Sequence, residues 1–370
     1  MLGNRATAEA TSAYARRFAE LPSHFRPMLG LTGSSIGIGT YLGESDEQTD
    51  QNYEEAIQAA LQGGINAIDT AVNYRFQRSE RAVGRAIARL VAGGQIKREE
   101  VIVATKGGYI TFDGEVPPNP RAWFDETYVK TGIIKSGELV EDSHCMAPKY
   151  LETMIEVSRA NLGLETIDVY FLHNPEAQLP VVGREEFNRR VRMAFELFER
   201  KVAEGKIAAY GTATWNGFRG DPKGKDYLSL QELVGIATAV AGPEHHFKVI
   251  QLPYNLAMPE ALTHSNQAVN GGQGSILDAA TRMGVAVWAS ASILQGRLAA
   301  RLPDIVGAAM EGLATDAQRA IQFVRSTPGV DVALVGMKSA RHVAENLEAA
   351  KRPPASADAF AKLFSPHDEK

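Results

Sequence analysis

Apolar residues gather along the chain in short, near-continuous runs: SIGIGTYL (35–42), NAIDTAV (66–72), VIVATK (101–106), IDVYFLH (167–173), IAAYGTA (207–213), VIQLPYN (249–255), VAVWASA (285–291) and VALVGM (332–337). Strict apolar–polar alternation, the mark of a sheet with one wet face, is missing from them. Such runs predict strands covered on both faces, hence a parallel sheet. A segment of helical period follows each run, at 50–63, 78–92, 148–163, 184–204, 228–241, 275–284, 314–326 and 339–350. Within 148–163, Leu151, Met154, Ile155, Ser158 and Leu162 share one face. The segment 50–63 ends at Gly63-Gly64, a helix stop. Repeated strand–helix pairs predict an α/β fold, a (β/α)8 TIM barrel, with an open Rossmann-like sheet as the alternative.

Three stretches fall outside the repeat. Residues 1–30 form an N-terminal extension whose Ala-rich start predicts a short amphipathic helix outside the main fold. Residues 31–352 make the barrel domain, and 353–370 a C-terminal tail. A long loop, 107–147, follows the third strand and carries Pro117, Pro118, Pro120 and Trp123. It leaves a strand's C-terminal end, where barrels of this kind build their sites, so it reads as a lid or substrate wall. Surface decoration is the competing reading. A Gly-rich stretch, 214–227, follows the fifth strand.

Composition narrows the function classes. A net charge of −5 shows no basic field for nucleic acid. The single cysteine, Cys145, excludes a disulfide within the chain and argues against a Cys-based zinc site; no metal is expected. The first residues lack the apolar core of a secretory signal, and no stretch approaches the ~20 apolar residues that cross a bilayer. A cytoplasmic protein without membrane contact is the expectation. Oligomeric state is not legible.

The strand ends carry the chemistry. Asp69 ends the second run with Tyr74 just beyond it, Lys106 ends the third, and His173 the fourth. Neighbouring strands would bring these titratable groups to one rim. A free tyrosine titrates near ~10, too high for easy proton transfer at neutral pH. An ammonium beside it lowers that value by favouring phenolate. Lys106 is expected to supply the charge, Asp69 to hold Lys106, and His173 to orient a carbonyl, with Tyr74 as general acid.

INAIDTAVNY (65–74) followed by SERAVGRAI (79–87) resembles the aldo-keto reductase signature. ATKGG (104–108) is similar to that family's lysine strand, and DVYFLHNP (168–175) to its histidine strand. The likeness continues through YGTATW (210–215), VIQLPYN (249–255), LQGRL (294–298) and GMKSARHVAENL (336–347). It covers roughly residues 30–350 in the family's order. The resemblance implies a (β/α)8 barrel binding NADP(H) in extended form, with NAD(H) possible. Hydride passes between C4 of the nicotinamide and a small-molecule carbonyl substrate, an aldehyde or ketone. It implies catalytic roles for Asp69, Tyr74, Lys106 and His173. It implies cofactor contacts at Thr40, Tyr41, Asp69, Thr214, Gln251, Ser290, Lys338, Ser339, His342, Glu345 and Asn346.

The glycines of GIGTYLG (37–43) lack G-x-G-x-x-G spacing, which argues against a Rossmann site. Three positions depart from the family pattern. Ala213-Thr214 stand where Ser-Asn is common. Ser290 replaces a stacking aromatic residue, a task open to Trp215 or the long loop. His342 replaces a frequent arginine, which weakens NADP over NAD. Two other functions compete: a cofactor-binding auxiliary protein with little turnover, and a barrel aldolase with Lys106 as Schiff-base nucleophile.

Overall fold

The computed structural model describes residues 1–269 and 271–364. Eight strands close a parallel barrel. They are β1 (Ile36–Gly39), β2 (Ala67–Asp69), β3 (Ile102–Gly107), β4 (Ile167–His173), β5 (Ile207–Ala213), β6 (Phe247–Pro253), β7 (Ala286–Ser290) and β8 (Val332–Gly336). Closure comes where β8 pairs with β1, from Ala333↔Ile36 to Gly336↔Gly39. The helices between and after them are α1 (Glu47–Gln62), α2 (Arg78–Ala92), α3 (Pro148–Leu162), α4 (Arg184–Ala203), α5 (Leu230–Ala241), α6 (Ile276–Met283), α7 (Asp316–Ser326) and α8 (Ala340–Leu347). The open-sheet alternative is thereby excluded.

Side-chain parity decides what faces inward. Successive residues of a strand point to opposite faces. One cluster holds Ala67, Ile102, Ala104, Val169, Phe171, Ala213 and Val249, inside the barrel. Ile68, Val103, Tyr170 and Ile250 belong to a second cluster, under the helices. Asp69, Lys106, His173 and Gln251 share the parity of the first set. They therefore point into the barrel at the ends of their strands.

Two features differ from the sequence reading. The first two strands are shorter than their apolar runs, because the chain turns onto the rim after Gly39 and Asp69; Thr40 N still donates to Asp69 O at 3.2 Å. The N-terminal extension is more than a helix. Ala8–Arg16 forms the expected helix, with Tyr14 buried and its hydroxyl donating to Leu61 O at 2.5 Å. An antiparallel hairpin then pairs Phe25–Met28 with Leu31–Ser34. It runs across the boundary suggested at residue 30, and Met28 joins the interior cluster at the barrel's bottom. Of the tail, Ala357–Ala361 is helical and stacks Phe360 on Phe323, 5.3 Å between centroids; residues 365–370 lie outside the described residues.

The long loop is folded rather than loose. It holds short helical turns at Pro120–Phe124 and Asp125–Val129, then a small hairpin pairing Leu139–Val140 with His144–Cys145. Tyr128 is buried against Tyr150 of α3 at 5.5 Å. His144 accepts from Gln178 Nε2 at 3.0 Å and donates its Nε2 proton to His173 O at 2.7 Å. Only a neutral imidazole does both, and burial lowers His144 to about 4.

Candidate active site

Lys106 is the hub. Its side chain is wholly buried, and Nζ donates to Asp69 Oδ2 at 2.7 Å, Thr70 O at 2.8 Å and Tyr74 Oη at 3.1 Å. That uses all three protons of an ammonium. Asp69 is satisfied on its other oxygen by Gln251 Nε2 at 2.7 Å. Gln251 keeps its carbonyl oxygen as an acceptor. The His173 ring lies edge-on to Tyr74, 5.9 Å between centroids, and Tyr109 packs edge-on against His173 at 5.0 Å. Nδ1 of His173 is buried without a protein partner. All four residues expected to act together do converge.

Electrostatics corrects one expectation. Tyr74 is pushed well above the ordinary phenol value, first by burial and then by the Asp69 carboxylate. Desolvation of a phenolate outweighs the ammonium beside it. Burial likewise lowers Lys106, opposed by Asp69. His173 is held well below the usual imidazole range by burial, with Lys106 adding to the effect. These shifts favour a protonated phenol and a neutral imidazole at neutral pH.

The turn after Tyr74 is unusual. Arg75, Phe76 and Gln77 all lie in the left-handed region, with φ of 50°, 54° and 73°. Such a run of non-glycine residues costs conformational energy at each step. Arg75 holds it: Nε donates to Glu44 O at 2.7 Å, the guanidinium pairs with Asp50 of α1, and it lies over the Tyr53 ring at 5.4 Å.

Asp69, Tyr74 and His173 open into a cavity of about 790 Å³ across the C-terminal ends of the strands, with Lys106 buried beneath them. Ten of the eleven residues expected to contact a cofactor line it: Thr40 and Tyr41 after β1, Asp69, Thr214 after β5, Gln251, Ser290, and Lys338, His342, Glu345 and Asn346 around α8. Ser339 does not; its hydroxyl caps α8 by accepting from His342 N at 3.3 Å. Sequence reasoning missed Asn73, Asn174 and Tyr109, which also line it. Asn174 Nδ2 donates to Tyr109 Oη at 3.1 Å. The Asn directly after the strand-end His was the available signal for one of them. Trp215, expected as a possible cover, lines the cavity and is 43% exposed. Of the long loop, Tyr109 lines this cavity.

A closed parallel barrel with this constellation on its C-terminal rim defines an oxidoreductase class, and the comparisons agree. The chain belongs to the aldo/keto reductase family, whose model matches residues 35–219. It is similar to 6-dehydroglucose reductase of Novosphingobium aromaticivorans, 25% identical over 95% of this chain and 98% of that one. A Schizosaccharomyces pombe protein bearing the name of a voltage-gated potassium channel beta subunit is 23% identical, over 89% and 88% of the two chains. Among solved structures, an aldo/keto reductase from Klebsiella pneumoniae, in complex with NADP and acetate, shares the fold with a TM-score of 0.62. It is 21% identical, with 92% of this chain and 94% of that one covered.

Proposed function

We propose that the protein is a reductase dependent on NADP(H) that converts an aldehyde or ketone to the alcohol, with Tyr74 as proton donor. The observation that carries this is Lys106, buried beneath the cavity and bonded at once to Asp69 and Tyr74, which line it. The residues fit an extended dinucleotide. The cavity runs from the tetrad to α8, Gln251 offers a free carbonyl oxygen to a carboxamide, and the buried Nδ1 of His173 lacks a protein partner. Lys338, at the lead-in to α8, suits a phosphate. Asn346 and Glu345 suit the adenosine end. NADP bound to the Klebsiella relative supports the same assignment.

Bound there, a nicotinamide would supply the hydride. Tyr74 gives its proton to the carbonyl oxygen as negative charge develops on it. Lys106 stabilises the phenolate left behind, and Asp69 keeps Lys106 cationic and in place. His173, neutral, donates a hydrogen bond to the same oxygen and fixes its position. Trp215 and Tyr109 shield the reacting groups from water.

The test is titration with NADPH and NADH side by side, read by intrinsic fluorescence, then an aldehyde and ketone panel read at the nicotinamide absorbance. Tight NADPH binding with turnover is expected. Binding of neither cofactor overturns the reading.

A further inference from the structure

We propose that Glu176 is a positioning residue: it fixes the Thr214–Trp215 wall of the cavity against the strand that carries His173, and so sets how tightly cofactor and substrate are held. The inference rests on the reductase reading above. Glu176 lies in the short turn Pro175–Gln178, directly after β4, and is buried. Its Oε1 accepts from successive amides across the gap: Trp215 N at 2.6 Å, Asn216 N at 3.1 Å and Gly217 N at 3.4 Å.

Those amides begin where the barrel's own bonding ends. Up to Thr214 the backbone is held by its sheet neighbours, with Asn174 N donating to Ala213 O at 2.6 Å and Thr214 N to Gln251 O at 2.8 Å. From Trp215 onward a carboxylate takes the place of a strand. One oxygen gathering consecutive N–H groups curls the chain around it, the backbone shape that binds anions. The loop leaves little room to shift. A Cβ on Gly217 would come within 2.8 Å of Leu228 Cδ1 and 3.4 Å of Glu176 Cβ.

The arrangement is costly, which argues that it does more than tie down a surface loop. Among the described residues no cation forms a salt bridge with Glu176, and its Oε2 is buried without a hydrogen-bond partner. Burial pushes the carboxyl up to about 6 while the amides pull it back. Glu176 is not among the residues that line the cavity; Thr214 and Trp215 are. Its effect reaches ligands through them, and the tetrad keeps its own bonds through Lys106.

The experiment uses the full chain with E176A, E176Q and G217A, titrated with NADPH and assayed with the best carbonyl of the panel. E176A is expected to raise the NADPH Kd and the carbonyl KM about tenfold, with kcat within about threefold. E176Q retains an acceptor oxygen and is expected within about twofold of wild type. G217A, which crowds the loop off the carboxylate, should reproduce E176A, and it decides the matter if E176A does not fold. Unchanged Kd and KM in E176A or G217A, or a loss in E176Q as large as in E176A, overturns the proposal while an active wild type leaves the reductase reading standing. Wild-type protein that neither binds NADPH nor reduces any carbonyl overturns both.

Discussion

At the scale of single residues, the tetrad separates chemistry from support. Tyr74 accepts one bond from Lys106, whereas Lys106 and Asp69 form a buried ion pair. Tyr74→Phe removes the proposed proton donor and leaves the pair intact. It should cost about 100-fold or more in kcat, with NADPH binding and stability near wild type. Lys106→Met should also lose activity, but it strands a buried carboxylate. Removing one partner of such a pair typically costs ~3–5 kcal/mol. Urea denaturation beside rate assays checks both. A Tyr74→Phe variant with a near-normal rate, or a Lys106→Met variant as stable as wild type, would contradict the assigned roles.

At the scale of elements, close approach explains sequence choices that polarity alone does not. Gly84, in the stretch that resembles the family signature, faces the end of α3. A Cβ there would sit 2.6 Å from Leu162 O and 2.7 Å from Asn161 O, both backbone atoms. Gly84→Ala should therefore destabilise by about 1–3 kcal/mol, despite alanine's better helix propensity, and a urea midpoint at or above wild type would refute it. The same contrast tells what the chain made legible. Apolar runs alternating with helical periods announce the barrel, and the strand-end positions of Asp69, Lys106 and His173 could be read from those runs, whereas Gln251 was legible only through the family resemblance. The hairpin at Phe25–Ser34 could not, because its short strands carry Arg26, Pro27 and Gly33 and owe their place to plugging the barrel. Nor could Tyr109 or Glu176. Their roles depend on long-range contacts, to His173 and to the amides of 215–217, that leave no periodic trace. The rise in Tyr74's pKa was missed for a related reason: burial, which outweighs a visible lysine, is a property of the packed fold.

At the scale of the whole molecule, buried neutral histidines tie stability to pH. His24 is lowered to about 3 and His144 to about 4, in each case mainly by burial, and His173 also lies well below its ordinary value. In the unfolded chain these rings titrate near ~6.5. Between that value and about 4 the unfolded state takes up protons that the native state refuses, so this stability is present above pH 6.5 and is lost as pH falls. Glu176, raised to about 6, and Glu80 and Asp331, both raised by burial, work the other way: they protonate first in the native state and give back part of the loss. His245, also lowered by burial, and the carboxylates held low by their partners, Glu186 and Asp316 among them, add to the histidines' side, and the thermal midpoint should fall from pH 7.5 to 4.5. A flat or rising midpoint over that range would count against the buried neutral rings.

The saturated hydrogen bonding of Lys106 carries one more consequence. An amine attacks a carbonyl with its lone pair, and a nitrogen that donates in three directions has none to offer. Asp69, Thr70 and Tyr74 surround Nζ, and no face of it meets solvent. Tyr74 lines the cavity and the nitrogen beneath it does not, so a carbonyl compound of the proposed kind would meet the phenol first. This burial argues against imine formation, the first act of an aldolase, and fits the proposed transfer of a hydride to the carbonyl carbon.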